Sequence, residues 1–414
     1  MMNIRLILNN KSFVEKKLAT RGFDISIINE LYIKGQKRNI LRQKIDALLA
    51  KKNLISKEIG AFSRQEKDSS FLKSQVSKIK TEIETLEAEW YQLDTWLNQK
   101  ILEIPNLPDD SVPFGTSELD NQVISHWGIP KKFDQKCKPH YEFGISNKIL
   151  DFKRAVKISG NRFVIYKNLG AKLVRSLINF MIDTHVANDY QEIIPNTLIL
   201  SESLYGTGQL PKFHNDLYPL KDPNRWLIPT AEVPLTNYFR EEIIDLAKPI
   251  SLVGYSKCYR SEAGSGGRDT KGLIRLHEFH KVELVKITKE ADGLTEFENV
   301  VKDASRILKL LEIPFRVVVL STYDLGFSSK KTVDLEAWLP SENTYREVSS
   351  ISYCGDFQAR RAKIRYREGK NNHYAHTING SGLAIDRLVA ILLEQYQNLD
   401  GSWTVPKVLE PYFR

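Results

Sequence analysis

The 414-residue sequence predicts an α+β protein: an antiparallel sheet flanked by helices and preceded by an antiparallel two-helix coiled-coil arm. Three observations carry this. A heptad seam runs through a long N-terminal stretch nearly free of glycine and proline. A proline-rich segment then ends that stretch, and the composition turns to β-branched runs, glycines and shorter helical pieces. Near the middle, Val253 to Ile287 reads as two strands joined by a polar, glycine-rich loop, which is the pattern of a long-looped antiparallel hairpin.

In chain order, residues 1 to about 26 form a small cap in which Gly22 breaks the pattern. The helical stretch follows, from about Ile27 to Ile104. In its second half Leu72, Val76, Ile79, Ile83, Leu86, Trp90, Leu93 and Leu97 recur at alternating spacings of four and three, a coiled-coil seam. Leu41, Ile45, Leu48, Ile55 and Ile59 make a looser stripe in the first half. The polar stretch Gly60 to Asp68 predicts the turn between two helices that bury their stripes on each other. The first helix is basic: between residues 34 and 57, Lys34, Lys37, Arg38, Arg42, Lys44, Lys51, Lys52 and Lys57 stand against the single acid Asp46, whereas the second helix carries Glu82, Glu84, Glu87 and Glu89. Such a face suits a nucleic-acid backbone, although a solvated helix or a protein-interaction rod would look the same. Pro105, Pro108 and Pro113 end the arm, because proline removes a backbone donor and clashes inside helices. The expected domains are therefore residues 1–104 and 105–414.

Beyond the linker, a helix is expected from about Leu169 to Asn188. Leu227 to Val233 is β-like and would put Thr230 and Glu232 on one face. In the hairpin, Ser256 to Ser261 reads as one strand and the alternation from Leu273 as the other, so Arg275, His277, Phe279, Lys281 and Glu283 share a face, as do Arg260 and Glu262. The loop from Gly264 to Asp269 holds a further arginine, Arg268. Arginine forks match phosphate oxygens, an aromatic ring offers a base a stacking surface, and carboxylates pair with an ammonium or accept from an exocyclic amine. Taken singly, each residue could be a solvated surface charge; together they suit a nucleoside triphosphate beside a small cationic group. Asp334 to Leu339 and Tyr345 to Ser350 read as two strands around a turn, where Glu347 and Ser350 could offer oxygens to a hard cation. Asn379 to Leu393 reads as a glycine turn opening an apolar helix, with Gly380 and Gly382 allowing close approach to a ligand. Arg387, on the first turns of that helix, calls for an anionic partner, phosphate or carboxylate.

Hydrophobic residues at 42% exclude bulk disorder, and a net charge of +9 favours a polyanionic partner. Cys137, Cys258 and Cys354 are widely spaced and odd in number, so they read as reduced thiols rather than a disulfide framework or a cysteine-built zinc site. The N-terminal apolar run is too short for a signal peptide, and none reaches a bilayer span.

The string RSEAGSGGRDTKGLIRLHEFHKVEL closely resembles motif 2 of the class II aminoacyl-tRNA synthetases in its seryl form, and NGSGLAIDR resembles their motif 3. The likeness extends over nearly the whole chain through IPNLPDDSVPFG, GTGQLPKF, PTAEVP, DLEAWLP, EVSSISYCGDFQARR and VPKVLEPY, all similar to the bacterial-type seryl branch. The resemblance implies a cytoplasmic homodimer with a class II catalytic domain. It implies Mg²⁺-dependent formation of seryl-adenylate from L-serine and ATP, and transfer of serine to the 3′-terminal adenosine of tRNA(Ser). Whether tRNA(Sec) is a second acceptor stays open. The arm residues Lys34, Lys37, Arg38, Arg42, Lys44, Lys51 and Lys52 would grip a tRNA bound across the dimer.

Carried over by position, the resemblance gives Arg260, Arg275 and Arg387 the catalytic role, the first two on the α-phosphate and the last on the γ-phosphate. Glu262 would accept from the adenine amine and Phe279 would stack on the ring; Ser261, Val348 and Ser349 belong to the same ATP-binding segments. Glu347 and Ser350 would hold Mg²⁺. Thr230, Ala231, Glu232, Arg260, Glu283, Asn379 and Ser381 would form the serine site, with Thr230, Glu232 and Glu283 on the ammonium and Glu283, Asn379 and Ser381 near the hydroxyl, these last roles not divided further. Three residues depart from the family pattern: Asn196 in the motif 1 segment, Tyr353, and Asp386 beside the motif 3 arginine. A carrier-protein ligase of similar fold fits less well because the arm is intact, and a non-catalytic paralogue because every motif arginine is present.

Overall fold

The computed structural model describes residues 1–131, 137–263 and 271–413; the hairpin loop Gly264 to Asp269, with Arg268, lies outside the described residues. The chain divides into two compact units, Met2–Pro105 and Asn106–Arg414 with Met1. Among the described residues, no helix is long and apolar enough to cross a membrane.

The first unit contains the short helices α1 (Ile4–Asn9) and α2 (Lys11–Ala19) and the long pair α3 (Ser26–Arg64) and α4 (Ser70–Lys100). Ile45 and Ile55 of α3 meet Ile79 and Ile83 of α4 in a buried seam, flanked by Leu48, Ile59, Leu72, Val76, Leu86 and Trp90. The turn is shorter than expected. Gly60 to Arg64 continue α3, because nothing in their polar composition breaks a helix already propagating. The chain reverses only between Gln65 and Ser69, where Asp68 accepts the Ser70 amide at 2.9 Å.

The second unit is built on an eight-stranded sheet. Its strands are β1 (Gln122–Trp127), β2 (Gln191–Glu192), β3 (Ile250–Tyr259), β4 (Glu278–Thr288), β5 (Phe315–Val319), β6 (Lys331–Leu339), β7 (Thr344–Gly355) and β8 (His376–Ala384). They lie in the order β1-β5-β6-β7-β8-β4-β3-β2. Every pair is antiparallel except the edge pair β2–β3. Four further helices matter here: α5 (Leu169–Val186), α6 (Glu232–Asn237), α7 (Gly293–Leu310) and α8 (Ile385–Gln395).

The period of two in β4 explains how this sheet makes both a core and a site. Val282 and Leu284 join Leu173, Phe297, Ile307 and Leu388 in the large core under α5, α7 and α8. Phe279, Lys281 and Glu283 turn to the other face and line a cavity. Val285 and Ile287, further along that face, are buried with Ala231 and Leu235 of the α6 segment.

Several elements differ from the sequence reading. The hairpin strands end at Tyr259 and restart only at Glu278, so Arg260, Glu262 and Arg275 stand on the irregular roots of the loop, not on the strands. Thr230 to Glu232 are not β: Glu232 opens α6, and Thr230 Oγ1 accepts the Glu232 amide at 3.1 Å as the chain turns into the helix. Asn379 to Ala384 are not a turn but the end of β8. Gly380 and Gly382 serve packing there: a Cβ would lie 2.7 Å from Ile351 Cγ1 at the first and 2.9 Å from His185 Nε2 and Leu284 Cγ at the second.

Candidate active site

A cavity of about 650 Å³ opens on the sheet face that carries the odd-numbered residues of β4, a size usual for a small-ligand site. The structure brings Thr230, Glu232, Arg260, Glu262, Arg275, Phe279, Glu283, Glu347, Val348, Ser350, Asn379, Ser381 and Arg387 to its wall. Three expected residues lie outside that lining. The Ser261 hydroxyl donates to the Asn215 carbonyl, Ala231 is fully buried, and the Ser349 hydroxyl donates to the Ser381 carbonyl at 2.6 Å.

At one end stand the cations. Arg260 is pinned at its backbone, its amide donating to the His277 carbonyl at 3.0 Å. Its Nε donates to the Pro229 carbonyl at 3.3 Å, and its guanidinium lies over the Phe279 ring, 5.1 Å from the centroid. Arg275 Nη1 donates to Glu262 Oε2 at 2.6 Å, while its Nε is buried without a hydrogen-bond partner among the described residues. Arg387 Nη1 donates to the Glu347 carbonyl at 2.7 Å and sits 3.3 Å from the Glu347 carboxylate.

The root of the loop that carries Arg275 is fixed from below. His140 Nδ1 lies 2.8 Å from Glu394 Oε1, and its Nε2 accepts the Leu273 amide at 3.1 Å. Gly272 has φ +80°, and a Cβ there would lie 2.1 Å from His140 Nε2. Gly272→Ala is therefore expected to cost about 1–3 kcal/mol through backbone strain and displacement of His140, read as a lower urea midpoint with weaker nucleotide binding. An unchanged midpoint would mean that the root is not held this way.

The other end is acidic. Thr230 Oγ1 donates to Glu283 Oε2 at 3.0 Å and accepts from Lys281 Nζ at 2.9 Å, and Lys281 also pairs with Glu283. Glu232 Oε1 accepts from Gln358 at 2.6 Å and from Asn379 at 3.0 Å. Burial, and then the charge of Glu283, push the Glu232 carboxyl up to about 7, against the pull of Gln358, Lys281 and Arg260. The sequence alone assigns no role to Lys281 or Gln358: Lys281 shows by its alternation with Phe279 and Glu283, but Gln358, on a short helix and uncharged, carries no such signal.

A β-bulge builds the candidate cation site. Residues three apart on a regular strand face opposite ways, but β7 shifts register between Glu347 and Ser349, so Glu347 and Ser350 pair with Glu336 and Asp334 and share the cavity face. Behind them Asp334 Oδ1 is buried without a hydrogen-bond partner among the described residues. Burial and the nearby Glu347 hold its carboxyl well above the usual range. These oxygens suit Mg²⁺, which takes one or two protein ligands and fills its shell with water and phosphate.

The departures are also placed. Asp386 lines the cavity, accepts the His280 amide at 2.5 Å and pairs with the Tyr166 hydroxyl, so its charge is partnered away from Arg387. Tyr353 is a core residue whose hydroxyl lies 2.6 Å from His376 Nδ1. Asn196 is exposed.

Comparison with known proteins agrees with this geometry. Residues 1–108 match the Seryl-tRNA synthetase N-terminal domain and residues 218–396 the tRNA synthetase class II core domain (G, H, P, S and T). The serine–tRNA ligase of Metamycoplasma arthritidis is 53% identical over 100% of this chain and 98% of its own length. That of Mycoplasma mobile is 52% identical over 100% and 99%. The solved structure of Pyrococcus horikoshii seryl-tRNA synthetase, complexed with ATP, superposes with a TM-score of 0.95 at 32% identity, covering 100% of this chain and 98% of that one. With half its residues shared over the full length and the arm, sheet and cavity all in place, the chain belongs to the seryl-tRNA synthetases, the class II ligases that use ATP to attach serine to tRNA.

Proposed function

We propose that the cavity activates L-serine with ATP and hands the seryl group to the 3′-terminal adenosine of tRNA(Ser), with the residues above in divided roles. The observation that carries this is the juxtaposition, in the lining of one cavity, of three arginines, an aromatic ring and the acid pair Glu232 and Glu283. Adenine stacks on Phe279, with its amine toward Glu262, beside the Arg260 guanidinium. Arg260 and Arg275 then grip the α-phosphate and Arg387 the γ-phosphate. The serine carboxylate is already a nucleophile, so it attacks the α-phosphorus without a protein base, pyrophosphate leaves, and positioning and charge do the work. Glu347 and Ser350, backed by Asp334, would hold Mg²⁺, which neutralises phosphate charge when bound. A ribose hydroxyl of the terminal adenosine next attacks the seryl carbonyl and AMP leaves.

Three features support wider roles. The edge strand Gln191–Glu192 is followed by Ile194, 89% exposed, which suits an interface in a homodimer with tRNA bound across it. On α3, Lys34, Lys37, Arg38 and Arg42 are ion-paired with Glu30, Glu89, Asp94 and Asp46. Lys44, Lys51 and Lys52 have no ion pair among the described residues, which leaves them to phosphates. Replacing those three with glutamine is expected to weaken tRNA binding and flatten the log–log salt slope by about two to three; an unchanged slope would place the tRNA elsewhere. Three unpaired, buried cysteines suit a cytoplasmic setting. The test of the reading is serine-dependent exchange of pyrophosphate into ATP. Exchange with serine and none with alanine is expected, whereas no exchange would overturn it.

A further inference from the structure

One buried charge in the cavity has no part in the scheme above. Lys281 is only 7% exposed, and lysine is rarely buried unless paired. Its Nζ is held between Glu283 and Thr230 Oγ1, while Thr230 itself donates to Glu283, so the three form a closed cluster. Across the same cavity Glu232 has no ion-pair partner among the described residues and is held by two neutral amides, those of Gln358 and Asn379. Two carboxylates of one pocket thus stand in different states, one compensated by a built-in cation and the other held open.

We propose that Lys281 divides the labour of the serine site: by compensating Glu283 it leaves Glu232 to take the substrate ammonium and turns the Glu283–Thr230 pair into a reader of the substrate hydroxyl. This rests on the serine-site reading above. The charge count supports it. Glu232, Glu283 and Lys281 sum to one negative charge, which one ammonium neutralises. Without Lys281 the pair would carry two, and like charges so close keep one proton between them. Elsewhere on the lining Arg275 pairs with Glu262 and Arg387 with Glu347; Arg260 adds a positive charge that also pulls Glu232 down, and the scheme above commits that charge to the α-phosphate. Arg260, after β3, is turned to Pro229 and Phe279, and burial raises the Cys258 thiol of β3 and the Cys354 thiol of β7. Burial and the Glu283 charge raise the Glu232 carboxyl, and a bound ammonium would favour its charged form.

The test uses the full-length protein and three ligands: L-serine, alanine (no hydroxyl) and glycerate (no ammonium). In Lys281→Met, the pH midpoint of serine affinity is expected to move up by a unit or more. ATP affinity should be unchanged, and Lys281→Arg should restore the midpoint. A uniform loss of serine affinity at every pH, with the midpoint unmoved, would reduce Lys281 to packing and overturn the proposal. Glu232→Gln and Glu283→Gln decide it independently, even if the lysine variant fails to fold. Glu232→Gln is expected to lose the preference for serine over glycerate, and Glu283→Gln the preference for serine over alanine; the reverse assignment would overturn the division. If neither variant changes serine binding, the serine-site reading itself fails, a result distinct from an unmoved midpoint in the lysine variant.

Discussion

Arg260→Ala is expected to lower serine-dependent pyrophosphate exchange by about three orders of magnitude, the scale of removing a preorganised donor from a developing charge, while tRNA affinity stays nearly intact. The backbone of Arg260 is tied to the root of the opposite strand by the His277 carbonyl and ring, both at 3.0 Å. The root of its side chain is therefore held at the cavity wall, within reach of the phosphates. Arg260→Lys should rescue poorly, since an ammonium cannot reproduce the planar fork. The arm's lysines lie in the other compact unit, which is why tRNA affinity should survive. Exchange at the normal rate in the alanine variant would remove Arg260 from the phosphate clamp.

Serine affinity is expected to rise with pH and to level off above about 7, the value to which burial and Glu283 push Glu232. The sign follows from the chemistry. An ammonium needs the carboxylate, and below the raised value a proton occupies it, so binding should weaken by up to about tenfold per unit of falling pH. Glu232→Gln should bind serine weakly and flatten this profile. Equilibrium titrations followed by tryptophan fluorescence between pH 6 and 8.5 would show it, and a flat profile for the unaltered protein would mean that Glu232 does not meet the ammonium.

Much of this site is legible in the sequence because it depends on local periodicity. The heptad seam from Leu72 to Leu97 needs only the 3.5-residue repeat, and the shared face of Phe279, Lys281 and Glu283 needs only the pleat. What escapes is set by pairing with distant strands. Glu347 and Ser350 face the same way only because β7 bulges against β6, and no local pattern announces a bulge. Thr230 to Glu232 alternate like a strand, yet tertiary packing of Val233 and Leu235 turns them into a helix start. Gly380 and Gly382 look like a turn for a ligand but are gaps for Ile351, His185 and Leu284. Lys281 is in plain view in the sequence, but its partner Thr230 is 51 residues away, and only the fold joins them.

The most direct measurement is the transfer of labelled serine to tRNA by the purified protein with ATP and Mg²⁺. Acid-stable, base-labile label on tRNA that requires both ATP and serine is the expected result. Serine-dependent pyrophosphate exchange with no label on tRNA(Ser) would contradict it, because the chain would then activate serine without being the ligase that its arm and cavity describe.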